Sequence, residues 1–236
     1  MQNLQGIINF KLHPIDDLNF YVKHCRSILQ KNSILFLNNF LTEESLVNLQ
    51  REAQILHNKA YYCSQNHNIL LREKNIELDD KHPCNIEVFS DKGCVPYDLI
   101  PESSSLRIIY NSSFFKKFIQ SLLSVKKVYP YADTLSSVNY NYYEKNQQLG
   151  WHFDNATFAI SLMIQSPASG GSFQYVVNAR NIEKNILDIK LIDSVLKNKY
   201  PVKELEIEEG AFVLFYGSNY LHRVTPVNSD KRRILV

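Results

Sequence analysis

The sequence predicts a mainly β fold with helices packed along one sheet, an α+β protein of the sandwich or jelly-roll type. Short β-prone segments fill the second half of the chain, and turn signals such as Gly170-Gly171 and Glu209-Gly210 separate them. Segments with helical spacing of apolar residues come before them. Many short strands at this spacing are typical of sandwiches and jelly rolls, and the leading helices are expected to buttress one sheet.

The first part of the chain, residues 1–125, is predicted to be helical and irregular. Helices are predicted over 16–30, from Thr42 to Leu56 and over 113–123. Thr42 is a favourable N-cap residue, and two glutamates follow it in the first helical turn, where acidic residues suit the helix dipole. The apolar run 34–37 predicts a buried strand. The polar segment 61–105, with its three prolines, predicts a long irregular loop.

Residues 126–236 are predicted to form the β core, with one helical insert over about 181–198. The expected strands lie within 125–129, 136–143, 157–165, 172–177, 204–207, 211–216 and 221–227. No linker or repeat divides the chain, so the sequence predicts a single domain over 1–236.

Composition and charge restrict the class of function. The chain is 44% apolar and 21% charged, and its net charge of +2 gives no basic footprint for nucleic acid. No stretch approaches the apolar length of a membrane span, and no signal peptide is apparent. The four cysteines have no metal-binding or redox spacing, which favours free thiols in the cytoplasm.

A metal site is predicted at His152, Asp154 and His222. On a strand, residues two apart point to the same face, so His152 and Asp154 can present an imidazole and a carboxylate to one point. His222 lies on a later strand and can supply the third ligand. Two histidines and one carboxylate on one face leave open positions, as in the facial triad of non-haem Fe(II) oxygenases.

Two arginines follow His222 in the chain, and a dicarboxylate cosubstrate needs one such fixed cation. Arg232 and Arg233 lie in the β-prone tail, and neighbouring strand residues face opposite ways, so only one of them can point inward. A guanidinium holds a carboxylate with two parallel hydrogen bonds. Arg233 is the favoured candidate and Arg232 the alternative.

The chain resembles one branch of the iron(II)- and 2-oxoglutarate-dependent oxygenases, a branch that includes hydroxylases and halogenases of free amino acids such as lysine. The segments that carry this resemblance are Asn66-His67-Asn68, Tyr97-Asp98, Tyr129-Pro130-Tyr131-Ala132-Asp133, Gly150-Trp151-His152-Phe153-Asp154-Asn155, Gly170-Gly171, Gly210-Ala211 and Leu221-His222-Arg223-Val224-Thr225-Pro226-Val227. The resemblance implies a distorted double-stranded β-helix, a cupin-like jelly roll, which agrees with the strand pattern.

The resemblance also implies the chemistry and the cofactors: Fe(II), 2-oxoglutarate and O2. Halogenases of this branch lack the ligand carboxylate and have a small residue there, whereas this chain has Asp154. The expected reaction is therefore hydroxylation of an unactivated C–H bond in a free amino acid, with lysine or another basic amino acid as candidates. Succinate and CO2 would be released, and the partner would be a small molecule rather than nucleic acid or membrane.

Five further residues are candidates for the site, and four of them have a structural alternative. Tyr142 is a candidate for hydrogen bonding to 2-oxoglutarate. Trp151 could form a wall of the active site or pack in the core. Asn155 could orient Asp154, contact substrate or occupy a turn. Asp133 could bind a substrate amine or cap a turn, and Arg72 could pair with a substrate carboxylate or be a solvated surface charge.

Two other functions remain open at this point. One is an oxygenase that acts on a protein side chain. The other is a non-catalytic, cupin-like binding protein that has kept only the fold, against which the two histidines, the aspartate and the arginine argue.

Overall fold

The computed structural model describes residues 2–133 and 135–236. Its helices are α1 (Gln2–Gln5), α2 (Tyr21–Asn32), α3 (Glu43–Leu56), α4 (Ser105–Asn111), α5 (Ser113–Leu123) and α6 (Ile189–Leu196). Its strands are β1 (Ile34–Leu37), β2 (Tyr61–His67), β3 (Val88–Val95), β4 (Tyr140–Tyr143), β5 (Leu149–His152), β6 (Ala159–Gln165), β7 (Phe173–Val176), β8 (Arg180–Asn181), β9 (Ile186–Leu187), β10 (Lys203–Leu205), β11 (Phe212–Phe215), β12 (Leu221–Val224) and β13 (Arg233–Leu235).

Two antiparallel sheets form the body of the protein. The larger has seven strands in the order β1-β11-β6-β13-β4-β3-β2, and the smaller has four in the order β10-β7-β12-β5. A separate hairpin pairs β8 with β9. Phe173 and Tyr175 of the smaller sheet share a buried cluster with Val213 and Phe215 of the larger, so the two sheets face each other. The predicted mainly β, jelly-roll-like fold with supporting helices is therefore confirmed.

Helices α1 to α5 cover the outer face of the seven-stranded sheet, as the apolar stripes predict, whereas α6 packs against the four-stranded sheet. Thr42 caps α3 by accepting a hydrogen bond from Ser45 N–H, and Ser112 caps α5 in the same way through Phe115 N–H. Their apolar residues join Phe212 and Leu214 of β11 in the largest buried cluster. Among the described residues, no helix is both long enough and apolar enough to cross a membrane.

Strand alternation divides the seven-stranded sheet into two chemically different faces. Tyr142 and Ile234, paired across β4 and β13, belong to the helix-covered cluster. Tyr143 and Arg233 are also paired and therefore share the other face, which is turned towards the four-stranded sheet. This second face, the inner face, contributes to the candidate site.

The structure corrects the predicted organisation in three places. The segment 61–105 is not simply a loop, because β2 and β3 lie in it and extend the larger sheet. No strand forms over 125–129. The predicted helical insert is a hairpin, β8–β9, followed by the short helix α6. The β core therefore recruits β1, β2 and β3 from the first part of the chain instead of being confined to 126–236.

Phe212→Ala is expected to destabilise the protein strongly, because Phe212 is fully buried and its ring packs against Phe40, 4.9 Å away between centroids. The loss should be about 3–5 kcal/mol in the free energy of unfolding, as for other buried phenylalanines. Urea denaturation followed by tryptophan fluorescence measures it. Phe20→Ala is the control, because Phe20 is 80% exposed and its loss should cost below about 0.5 kcal/mol. Equal effects of the two substitutions would contradict this packing.

Candidate metal centre

Three side chains converge at one end of the space between the sheets. His222 on β12 pairs directly with His152 on β5, which places their imidazoles side by side with ring centroids 4.2 Å apart. Asp154, just beyond the end of β5, places Oδ1 3.5 Å from Nε2 of each histidine. Metal–ligand bonds of about 2.1 Å at right angles separate donor atoms by about 3 Å. The three residues therefore fit one octahedral face of a metal ion.

Hydrogen bonds fix both imidazoles in the tautomer that metal binding requires. Nδ1 of His152 lies 2.8 Å from Gly150 O, and Nδ1 of His222 lies 2.8 Å from Tyr220 O. A carbonyl oxygen only accepts, so each Nδ1 carries the proton and each Nε2 has a free lone pair. Both Nε2 atoms face Asp154.

The electrostatics of the triad favour a bound cation. Burial, followed by the charge of His222, lowers the pKa of His152 to about 4, so this imidazole is neutral at neutral pH. Burial alone would raise the pKa of Asp154, but its close contacts with His152 and His222 outweigh burial and hold that pKa well below its usual range. A carboxylate and two imidazoles form a donor set suited to Fe(II).

Gly217 gives the carboxylate of Asp154 the space that it occupies. The backbone N–H of Asp154 donates to Gly217 O at 3.0 Å, so the two residues are held together. A Cβ on Gly217 would lie 1.8 Å from Asp154 Oδ2, far inside van der Waals contact. Any side chain at this position must therefore displace the ligand carboxylate.

A chain of hydrogen bonds links the β2–β3 hairpin to the ligand His152. His67 Nδ1 lies 3.0 Å from Asn68 O and carries the proton, so Ser90 Oγ donates to His67 Nε2 at 2.5 Å. Ser90 Oγ in turn accepts from Gly150 N–H at 2.8 Å. The carbonyl of Gly150 accepts from His152, as described above. The ring of His67 also lies edge-on to that of His152, 6.1 Å between centroids.

Arg233 lies on the inner face, whereas Arg232 points away from it. Arg232 pairs with Glu144 at 3.2 Å on the other side of the sheet. Arg233 is 1% exposed, and among the described residues its Nε and Nη1 have no hydrogen-bond partner. Its guanidinium lies 5.3 Å from the ring centroid of Tyr143. A buried cation is costly without an anion, and the described residues offer Arg233 no carboxylate partner.

Two predicted site residues lie away from the metal. Tyr142 was expected near the cosubstrate, but its hydroxyl donates to Ala53 O of α3 at 2.8 Å, on the face opposite Arg233. Tyr143 has the inner position instead. Trp151 was a candidate wall of the site. Strand alternation instead turns it away from His152, into a buried apolar cluster between the four-stranded sheet and α6, here called the outer apolar cluster. Both corrections follow from strand parity.

The other three candidate site residues, Asp133, Asn155 and Arg72, are all exposed. Asp133 is exposed, and its carboxylate accepts hydrogen bonds from Leu135 N–H and Ser136 Oγ–H, which favours the turn-cap alternative. Asn155 is exposed, and among the described residues its amide makes no hydrogen bond to Asp154, so the orienting role is not supported. Arg72 is exposed in a turn that Asn68 closes with two side-chain hydrogen bonds to its backbone.

The turn that contains Arg72 adjoins the metal segment. Ile69 O in this turn accepts a hydrogen bond from Phe153 N–H at 2.8 Å. Arg180 lies over the ring of Phe153 at 5.4 Å, and burial together with the charge of Arg72 lowers its pKa. Sequence patterns did not identify Arg180, and they also missed Ser90, Tyr143 and Gly217, because each acts through partners that are distant in the chain.

A family model places the chain among known proteins. The model described as Halogenase D matches residues 19–236. The chain belongs to the Halogenase D family. No curated protein sequence matches it.

Solved structures share the fold of this Halogenase D family member. A 2OG-Fe(II) oxygenase family oxidoreductase from Burkholderia pseudomallei matches with a TM-score of 0.58 at 11% identity, over 91% of this chain and 87% of that one. A non-haem alpha-ketoglutarate-dependent carbocyclase from nogalamycin biosynthesis matches with a TM-score of 0.59 at 13% identity, over 94% and 83%. A prolyl hydroxylase from Trichoplax adhaerens, in complex with a hypoxia inducible factor peptide fragment, matches with a TM-score of 0.55 at 11% identity, over 94% and 89%.

These similarities show the fold, and the triad shows a site with the ligands that Fe(II) prefers. Together they support the predicted cofactor set of Fe(II), 2-oxoglutarate and O2. Among the described residues, His152, Asp154 and His222 form the cluster of potential metal ligands, with their ligand atoms all within 4.8 Å of one another.

Gly217→Ala is expected to weaken Fe(II) binding by about tenfold or more, because the added Cβ displaces Asp154. Equilibrium dialysis of Fe(II) without oxygen measures the change. Gly6→Ala is the matched control, since a Cβ there meets nothing within 4 Å. Equal Fe(II) affinity of Gly217→Ala and the unchanged protein would show that Asp154 does not need this space.

His67→Ala is expected to weaken Fe(II) binding by about tenfold, because it breaks the hydrogen-bond chain that orients His152. His67→Gln, whose amide can still accept from Ser90, should recover most of the affinity. The electron paramagnetic resonance spectrum of the Fe(II)–nitric oxide complex reports on ligand orientation and should change only for His67→Ala. His24→Ala at an exposed position is the control, and an unaltered spectrum in His67→Ala would rule out the positioning role.

Proposed function

We propose that the protein is an Fe(II)- and 2-oxoglutarate-dependent dioxygenase that hydroxylates an unactivated C–H bond of a free amino acid, with lysine and other basic amino acids as the first candidates. The observation that carries the proposal is the convergence of His152, Asp154 and His222 between the sheets. The buried and unpartnered guanidinium of Arg233 on the same inner face supports it. A non-catalytic binding protein has no need for both features together.

Each part of the chain has a defined task in this proposal. When bound, Fe(II) with 2-oxoglutarate and O2 supplies the oxidation that converts C–H to C–OH, with succinate and CO2 released. His152, Asp154 and His222 hold the metal and leave its remaining positions open. Arg233 receives the distal carboxylate of 2-oxoglutarate through a two-pronged contact, with Tyr143 packed beside it. The outer apolar cluster around Trp151 keeps the metal strand rigid.

Asp154 favours hydroxylation over halogenation. Its carboxylate occupies the position that a halide needs and adds negative charge there, which disfavours a second anion. The geometry adds to this argument, because Asp154 Oδ2 fills the space above Gly217. The family's description as Halogenase D therefore does not decide the reaction of this chain, since function depends on the residues of the site.

A small-molecule substrate suits the surroundings of the metal segment. A cavity of about 470 Å³ begins beside Ala156, two residues beyond the ligand Asp154, but it is lined mainly by apolar residues of α4, α5 and β6 and by none of the three metal ligands. This volume is in the range of small-molecule sites. Arg72, in the turn bonded to Phe153, is the candidate partner of a substrate carboxylate, and Asn155 remains a candidate substrate contact.

The first test is the visible charge-transfer band that 2-oxoglutarate produces when it chelates Fe(II). Without oxygen, the band should appear in the unchanged protein and in His24→Ala and be lost in His222→Ala, because the triad cannot hold the metal with one imidazole missing. Absence of the band in folded, Fe(II)-loaded protein would refute the dioxygenase assignment.

Product analysis then tests the substrate and the reaction. Free amino acids, starting with lysine, should stimulate succinate release and gain one oxygen atom by mass spectrometry, even with chloride in excess. A chlorinated product would instead identify a halogenase. Turnover of lysine-containing peptides, without turnover of free amino acids, would favour the alternative of a protein side-chain substrate.

A further inference from the structure

Lys92 lies on the inner face of the seven-stranded sheet, where the mechanism above has not used it. β3 pairs with β4 so that Cys94 is opposite Asn141 and Gly93 is opposite Tyr142. Residues two apart on a strand share a face, so Lys92 lies on the face of Cys94 and Asn141. The contact between Lys92 Nζ and Asn141 Oδ1, at 2.7 Å, agrees with this placement.

Lys92 and Arg233 flank Tyr143 in one row across the sheet. Continuing the register of β3 by one residue puts Lys92 opposite Tyr143, and β13 puts Arg233 opposite Tyr143 from the other side. Adjacent strands are about 4.8 Å apart, so the backbones of the two basic residues lie about 10 Å apart. Both basic residues therefore lie on the face of the larger sheet that is turned towards the four-stranded sheet.

Neither cation is neutralised by the protein. Among the described residues, no carboxylate forms an ion pair with Lys92 or Arg233. Glu144, the acidic residue next to Tyr143, is engaged by Arg232 and His57 on the opposite side. Lys92 is partly buried, and its ammonium is directed to a neutral amide on the neighbouring strand. Partly buried charges of this kind are costly unless an anion approaches them.

We propose that Lys92 is a second cosubstrate-binding residue, which contacts a carboxylate of 2-oxoglutarate while Arg233 holds the distal one. The proposal rests on the proposed function and adds a residue to the same site. A dicarboxylate is the ligand that matches two separated cations on one face. Asn141 holds the ammonium in place, because its own amide N–H donates to Asn139 O and its oxygen is thereby turned to Lys92.

If Lys92 binds the cosubstrate, its replacement should affect 2-oxoglutarate binding but not the Tm of the ligand-free protein. Two like charges on one face repel each other in the ligand-free protein, and this repulsion opposes the gain from the hydrogen bond between Lys92 and Asn141. Replacing it with an apolar side chain of similar length should leave the Tm of the ligand-free protein unchanged or raise it. The same replacement should weaken the binding of 2-oxoglutarate, because a charge-assisted hydrogen bond is lost.

The test compares Lys92→Met, Lys92→Arg and Lys145→Met by equilibrium dialysis of labelled 2-oxoglutarate with Fe(II)-loaded protein under anaerobic conditions. Lys145, exposed and paired with Asp230 at 3.0 Å, is the matched lysine control. Lys92→Met should raise the Kd for 2-oxoglutarate about tenfold or more. Lys92→Arg should remain within about threefold, and Lys145→Met should match the unchanged protein. Fe(II) affinity, measured separately, should not change in any of them.

Two outcomes overturn the assignment of Lys92 while leaving the proposed function intact. One is a Kd for Lys92→Met equal to that of Lys145→Met. The other is weaker cosubstrate binding accompanied by parallel losses of Fe(II) affinity and Tm, which would indicate a structural role. If the unchanged protein binds no 2-oxoglutarate, the proposed function fails and the assignment of Lys92 fails with it.

Discussion

The antiparallel pairing of β12 with β5 is the constraint on which the site depends. It places His222 directly opposite His152, although 69 residues of chain lie between them. Oδ1 of the partly buried Asp154 lies 3.5 Å from Nε2 of both histidines, so the carboxylate and the two imidazoles form one cluster of metal ligands. The backbone bond from Asp154 to Gly217 then fixes the end of β11 beside the metal position. The local geometry of three strands is thus tied to one cluster of side chains.

The inner face of the larger sheet departs from the usual rule that facing sheets bury only apolar groups. Phe215 and Val213 follow that rule on β11. On β13 and β3 the corresponding positions hold Arg233 and Lys92, with Tyr143 between them. A protein that needed only stability would gain from apolar residues there, since unpaired cations in a partly buried space oppose folding. A bound anionic ligand would offset this cost, which links the two basic residues on this face to the proposed cosubstrate.

Sequence patterns predicted those features that depend on local alternation and capping. The run at β1 matched its prediction residue for residue, and Thr42 caps α3 as expected. They failed where long-range pairing decides the outcome. β2 is a polar, exposed strand that exists because seven of its residues pair with β3, and no periodicity in the sequence indicates it. The face of Tyr142 depended on a strand parity that the loop 144–148 conceals, and the structure places Tyr142 on the face opposite Arg233. The metal ligands escaped this problem, because His152 and Asp154 share parity with each other wherever the strand begins.

Membership of the Halogenase D family and the presence of a ligand carboxylate are compatible, because the fold positions the metal and one residue determines what else can bind it. In this chain two residues, Asp154 and Gly217, together determine the space beside the metal position. Asp154 Oδ2 occupies the volume that Gly217 leaves free, and the Asp154 N–H bond to Gly217 O holds the two segments together. Removing the carboxylate would open a pocket with no side chain from Gly217 to refill it, a geometry suited to a small anion such as a halide. In this chain the glycine leaves the space that the carboxylate ligand fills, so membership of the family does not by itself decide what else binds beside the metal.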